Sequence, residues 1–101
     1  MIYGKMKNGK YFYETKTAKG STDEIDFVFT ILKDENLMEK ILLRESLKVD
    51  EIQIRKILNY IVNSKNNNLK NIIKNLIISS DDFVYFIKIM KENNINYRKV
   101  I

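Results

Sequence analysis

Cysteine, histidine, proline and tryptophan are absent from this chain of 101 residues, and there are only three glycines. Without cysteine and histidine the chain cannot form a disulfide framework, a Cys/His zinc site or a catalytic pair that uses either residue. An enzyme built from it would depend on carboxylates, lysine and tyrosine. The sequence therefore predicts a protein that is not an enzyme and uses no metal or cofactor.

Long apolar runs are absent too. No stretch has the length and hydrophobicity that a membrane-spanning helix needs, and the N-terminal MIYGKMKNGKYFY lacks the apolar core of a signal peptide. The absence of cysteine is typical of a reducing compartment. With 45% hydrophobic residues, a chain of this length can bury a core as a single domain, residues 1–101. We expect a cytoplasmic protein that does not bind membranes.

Three residue types dominate the chain: 16 isoleucines, 15 lysines and 12 asparagines. Their codons are rich in A and T, which indicates an AT-rich bacterial genome, or a phage or mobile element that replicates in one. Charge is unevenly spread, since residues 21–51 carry nine acids and residues 52–80 carry none. Such blocks either form a functional basic face or neutralise one another in the fold. The sequence leaves both interpretations open.

The N-terminal residues predict a β-hairpin, because alternating apolar and polar residues flank Asn8-Gly9, a preferred two-residue turn. This loop pairs Tyr3 with Glu14 and Gly4 with Tyr13, so that Tyr13 can cover Gly4. The core face would then hold Ile2, Gly4, Met6, Tyr11, Tyr13 and Thr15. The opposite, basic face would hold Tyr3, Lys5, Lys7, Lys10 and Phe12, together with Glu14 and Lys16. Lysine and aromatic side chains in this arrangement can bind single-stranded nucleic acid, or simply form a solvated surface.

Helices are predicted for most of the remaining chain, after a turn at 18–21. Residues 23–33 fit a helix, with Ser21 and Glu24 as a capping box, or a third strand, and we favour the helix. Four amphipathic helices follow, started by Asp34 or Asn36, by Asp50 with Gln53, by the Asn66–Asn68 loop, and by Ser80 or Asp81. The tail INYRKVI alternates and can add a short C-terminal strand. The expected fold is α+β and mostly α.

Residues 43–58, LRESLKVDEIQIRKIL, have the apolar spacing of a DNA-binding helix-turn-helix. The outward residues that would contact phosphates and base edges are Arg55, Lys56 and Asn59. Arg44 and Lys48 stand where such a unit normally has small residues, and Asp50 and Glu51 would repel phosphates. These details count against DNA binding by this unit, and the simpler role of the two acids is helix capping.

An acid-free pair of helices, residues 52–78, supplies a further basic surface. Its polar side chains include Arg55, Lys56, Asn59, Lys70 and Lys74, which suit a phosphate backbone or an acidic protein patch. Apolar residues off the main helix stripes, Tyr60, Ile78, Tyr85 and Ile89, could form a homodimer contact. Glu14-Thr15-Lys16 matches half of a nuclease motif, but the chain has no aspartate before Asp23 to complete it.

These features predict a small, basic, non-enzymatic binding protein encoded by a phage or mobile element. Its expected partner is a host protein or nucleoprotein complex, and one concrete version is an inhibitor of a nucleic-acid-guided defence system, similar to anti-CRISPR proteins. That version rests on size and composition. The alternative is a DNA-binding regulator that uses residues 43–59, with DNA or RNA bound through the basic faces.

Overall fold

Residues 1–45, 47–79 and 83–100 are described by the computed structural model of the chain. Three antiparallel strands, in the order β1-β2-β3, precede the helices. The strands are β1 (Ile2–Lys5), β2 (Tyr11–Glu14) and β3 (Lys19–Thr22). The helices are α1 (Glu24–Asp26), which continues as a π-helix (Phe27–Leu32), α2 (Glu35–Leu42), α3 (Glu51–Val62), α4 (Asn67–Ser79), α5 (Phe83–Glu92) and a 3-10 turn (Tyr97–Lys99). The predicted α+β, mostly α, class is confirmed.

The hairpin between β1 and β2 has a three-residue loop instead of the predicted two-residue turn. The Gly9 amide donates to the Met6 carbonyl at 3.1 Å, and the Met6 amide donates to the Lys10 carbonyl at 2.7 Å. Gly9 has a φ of +85°, the left-handed conformation that closes such a loop. Tyr3 consequently pairs with Tyr13, not with Glu14.

This shift of one residue reverses the two faces of β1, because successive side chains of a strand point to opposite sides. The inner sheet face, which is turned toward the helices, consists of Tyr3, Lys5, Tyr11, Tyr13, Gly20 and Thr22. The prediction was right for Tyr11 and Tyr13 but wrong for β1, whose Ile2 and Gly4 lie on the other side. Tyr13 covers Gly20 instead of Gly4, since a Cβ atom at Gly20 would lie 3.4 Å from the Tyr13 hydroxyl.

Two further secondary-structure assignments differ from the prediction. Lys19–Gly20–Ser21, predicted as part of a turn, belongs to β3, which makes the sheet a three-stranded meander. The predicted C-terminal strand is not formed in residues 95–100, where a 3-10 turn follows α5.

Polar side chains begin the helices, largely as predicted. Residues 24–32 are helical, but Asp23 rather than Ser21 caps them, accepting from the Asp26 amide at 2.8 Å. Asp34 caps α2, and Asp50 with Gln53 forms both hydrogen bonds of a capping box at α3. Asn94 follows α5 with a φ of 56°. The predicted cap at Ser80 or Asp81 lies outside the described residues.

The core forms around α3, which packs against the first helix, α4 and α5. Six described side chains at its centre are 0% exposed, and they come from four helices: Met38, Leu58, Ile61, Leu69, Ile77 and Met90. The sheet joins this core through Phe27, whose ring stacks on Tyr11 at 4.9 Å and contacts Tyr3 at 5.3 Å between centroids. None of the helices within the described ranges has the length and hydrophobicity to cross a membrane.

Candidate functional site

The outer sheet face is the side of the sheet turned away from the helices. Its members are Ile2, Gly4, Phe12, Glu14, Lys19 and Ser21. The Phe12 ring lies across Gly4, where a Cβ atom would be only 2.8 Å from Phe12 Cε1. Phe12 nevertheless exposes 43% of its surface and Ile2 exposes 65%. The centre of this face is therefore apolar and accessible.

Lysines surround this apolar centre. Lys7 and Lys10 lie at the hairpin tip, Lys16 lies in the turn between β2 and β3, and Lys19 lies opposite Glu14. All four are exposed, and none forms a salt bridge within the described ranges. Their charges are therefore available to a partner.

The predicted basic face of the hairpin is not a single surface, because the register separates its members. Phe12 lies on the outer sheet face, whereas Tyr3 and Lys5 lie on the inner one. Tyr3 contacts the buried Phe27. Hydrogen bonds from Arg44 lower the pKa of Glu24, and the charge of Lys5 contributes further, so Lys5 interacts with its own chain.

The predicted basic residues of α3 are also held by acids of the same chain. Arg55 bonds Glu51 at 2.6 Å, one turn earlier, and Lys56 bonds Asp26 at 2.9 Å. Asp26 accepts a further hydrogen bond from Thr22. Burial raises the pKa of Asp26, but hydrogen bonds from Thr22, Lys56 and Thr30, together with the charge of Lys56, outweigh it, and the net shift is downward. Lys56 therefore links α3 to the first helix, whereas the Arg55 pair lies within α3.

The remaining predicted residues are more available. Asn59 is exposed on α3, and Lys70 and Lys74 lie one turn apart on α4, both half-buried and outside the salt bridges of the described residues. Of the proposed dimer residues, Ile89 is buried and Tyr60 packs edge-on against Phe29, which leaves Ile78 and Tyr85 exposed.

The stretch that resembles a helix-turn-helix has a different geometry. Helix α2 ends at Leu42 and α3 begins at Glu51, so eight residues connect them, whereas such a motif uses a turn of about three or four. Arg44, at a position that favours a small residue, donates to both carboxylate oxygens of Glu24 at 2.6 and 2.9 Å. It ties the connection to the first helix.

The same connection borders a cavity of about 500 Å³ between α3, α4 and α5. Buried residues form its floor: Ile54, Ile57, Leu58 and Ile73. Its exposed rim includes Arg44, Glu45 and Lys48. Sequence patterns gave no signal for this cavity, because its lining residues come from segments that are far apart in the chain.

Known proteins offer no assignment for these surfaces. No family model matches the chain, and no curated protein or solved structure matches it. Within the described residues, no three acidic side chains lie close enough together to hold a metal ion. The chemistry of the outer sheet face is consequently the best guide to what the protein binds.

Proposed function

We propose that this chain is a non-enzymatic binding protein that docks through its outer sheet face on an acidic surface of a host protein complex. The observation that carries the proposal is the exposed apolar centre of Ile2 and Phe12, surrounded by lysines that form no salt bridge within the described residues. Protein interfaces commonly combine an apolar centre with a polar rim.

The basic charge of the N-terminal residues favours an acidic partner. The first 20 residues contain five lysines and one glutamate, so the hairpin attracts an acidic surface and accelerates its approach. Strand β1 has β2 on one side only, and its other edge offers backbone groups to which an extended segment of the partner can add as a further strand.

The proposal includes, as one concrete form, a phage-encoded inhibitor of a nucleic-acid-guided defence complex. Small size, a sequence pI of about 9.4 and the dominance of isoleucine, lysine and asparagine support this form. The DNA-binding regulator has less support, because Arg55 and Lys56 interact with Glu51 and Asp26, and the connection before α3 is long.

The experiment is affinity capture from a host lysate with four forms of the chain. Phe12→Glu places a charge at the apolar centre, and Lys7→Glu combined with Lys10→Glu reverses the charge at the hairpin tip. Leu37→Glu, on α2, is the matched control, since Leu37 is 36% exposed and belongs to another surface. Thermal unfolding of each form verifies that it folds.

We expect wild type and Leu37→Glu to retain the same partner and both sheet variants to lose it. Equal capture by all four forms would refute docking through the outer sheet face. Parallel titrations with duplex DNA, single-stranded DNA and RNA test the alternative. Tight nucleic-acid binding that falls steeply with salt and is abolished by Arg55→Glu with Lys56→Glu would favour the regulator instead.

A further inference from the structure

The apolar cavity is the roughly 500 Å³ space, open to the surface, that is lined by residues 42, 44–45 and 47–49 together with side chains of α3, α4 and α5. It lies outside the outer sheet face and shares no residue with it. Leu58 on its floor is fully buried, and Ile54, Ile57 and Ile73 are each 3% exposed. The cavity therefore reaches from the surface into the hydrophobic core.

Its size and walls suit a small molecule. Sites for small ligands usually measure about 300–1,000 Å³ and have mostly apolar walls. The side chains of the described residues leave the space open, whereas protein interiors are otherwise closely packed. An apolar molecule there would restore dispersion contacts with the walls and remove apolar surface from water.

The rim indicates that the molecule carries no charge. Arg44 is neutralised by its paired hydrogen bonds to Glu24. Lys48 and Glu45 are both exposed on the rim and have opposite charges. Among the described residues, the buried set contains no polar or charged side chain. The floor therefore offers no polar side chain to pair with an ionic group, and the rim favours neither sign of charge.

We propose that the apolar cavity binds an uncharged, mostly apolar small molecule. This site adds a second binding function to the docking proposed for the outer sheet face, and neither depends on the other. Apolar cavities in proteins are known to take up molecules such as benzene. A bound ligand also raises the thermal stability of the fold by mass action.

The test uses the neutral fluorescent probe N-phenyl-1-naphthylamine with the full chain. We expect saturable binding of one probe per chain, an increased unfolding temperature, and no change in affinity between about 50 and about 500 mM salt, because salt screens only charges.

Val49→Phe and Leu76→Phe each enlarge a side chain that lines the cavity. Each is expected to weaken probe binding about tenfold or more, equivalent to about 1.4 kcal/mol. Leu37→Phe, away from the cavity, is the matched control and should bind as wild type does.

Three outcomes would overturn the proposal. The first is the absence of saturable binding to wild-type protein, and the second is unchanged binding by both cavity variants while they remain folded. The third is displacement of the probe by the partner captured in the docking experiment, which would assign the cavity to a protein side chain. Because Phe12→Glu alters only the outer sheet face, it should leave probe binding intact whether or not the docking proposal holds.

Discussion

Arg44 and Glu24 form a two-point ion pair, with nitrogen–oxygen distances of 2.6 and 2.9 Å. Glu24 also accepts a hydrogen bond from the Tyr11 hydroxyl at 3.3 Å. Three parts of the chain therefore meet at one carboxylate: the connection between α2 and α3, the first helix and strand β2.

Arg44→Ala should lower the free energy of unfolding by about 0.5–1 kcal/mol, because the pair is well aligned but Arg44 is about half exposed. The measurement is urea unfolding at neutral pH. Arg98→Ala is the control, since Arg98 is exposed and outside the described salt bridges. Equal losses for the two variants would show that the ion pair contributes nothing.

Glu24→Gln should reduce the acid sensitivity of the fold. The pKa of Glu24 is lowered in the folded chain, chiefly by hydrogen bonds from Arg44. A lowered carboxyl pKa stabilises the fold above the unfolded-state value, about 4.3, and this contribution disappears as the pH falls through the folded-state pKa. Urea midpoints at pH 7 and at about pH 3 should therefore differ less for Glu24→Gln than for wild type. An identical difference would contradict the assignment.

Tyr11→Phe and Tyr11→Ala separate the hydroxyl from the ring. The first removes the 3.3 Å hydrogen bond to Glu24 but keeps the stack on Phe27, and should cost about 0.5–1 kcal/mol. The second also removes the ring and should cost about 2–3 kcal/mol, since the ring is partly buried. Denaturant unfolding measures both, and the prediction fails if the two losses are equal.

Gly9→Ala should destabilise the hairpin by about 1 kcal/mol, because alanine is strained at the left-handed φ of Gly9. Gly9→Asn should cost less, since asparagine tolerates this conformation. Unfolding experiments test the energies. NMR contacts across the strands test the register directly: Tyr3 should lie opposite Tyr13, and contacts from Tyr3 to Glu14 as its direct partner would support the two-residue turn.

Leu58→Ala should cost about 3–4 kcal/mol, because Leu58 is fully buried in α3 and the substitution leaves a cavity. Leu43→Ala is the matched control. Its side chain is 65% exposed, so the same substitution should cost less than about 0.5 kcal/mol. Calorimetric or urea unfolding gives both values, and similar losses would mean that the core is not centred on α3.

The helices were predicted from the sequence more accurately than the sheet. Helix starts at Asp34, Asp50 and the asparagine loop follow from local hydrogen bonding and apolar spacing, and the structure confirms them. The hairpin was recognised but its register was wrong by one residue. Asn8-Gly9 suits a two-residue turn, and Gly9 equally suits the left-handed position of a three-residue loop. Local sequence does not separate these alternatives.

The candidate sites depended even more on distant residues. Phe12 and the hairpin-tip lysines remain exposed as expected. The strand register places Tyr3 on the inner sheet face, and Arg55 and Lys56 form salt bridges with acids of the same chain. The Arg55–Glu51 pair is local, one turn apart on α3, whereas the Lys56–Asp26 pair joins elements that are far apart in the chain. The basic blocks are therefore evident from the sequence, but which of their side chains form salt bridges is decided by the fold.

By itself, the sequence determined the helix positions, most of their caps, the presence of a hairpin and the exclusion of Cys and His chemistry, because each depends on neighbouring residues or composition. The tertiary structure decided three other features: the faces of β1, the pairing of Lys56 with Asp26, and the cavity beside residues 44–45 and 47–49. These features depend on contacts between segments far apart in the chain. Such contacts become defined only when Phe27 packs under the sheet and α3 packs among the other helices.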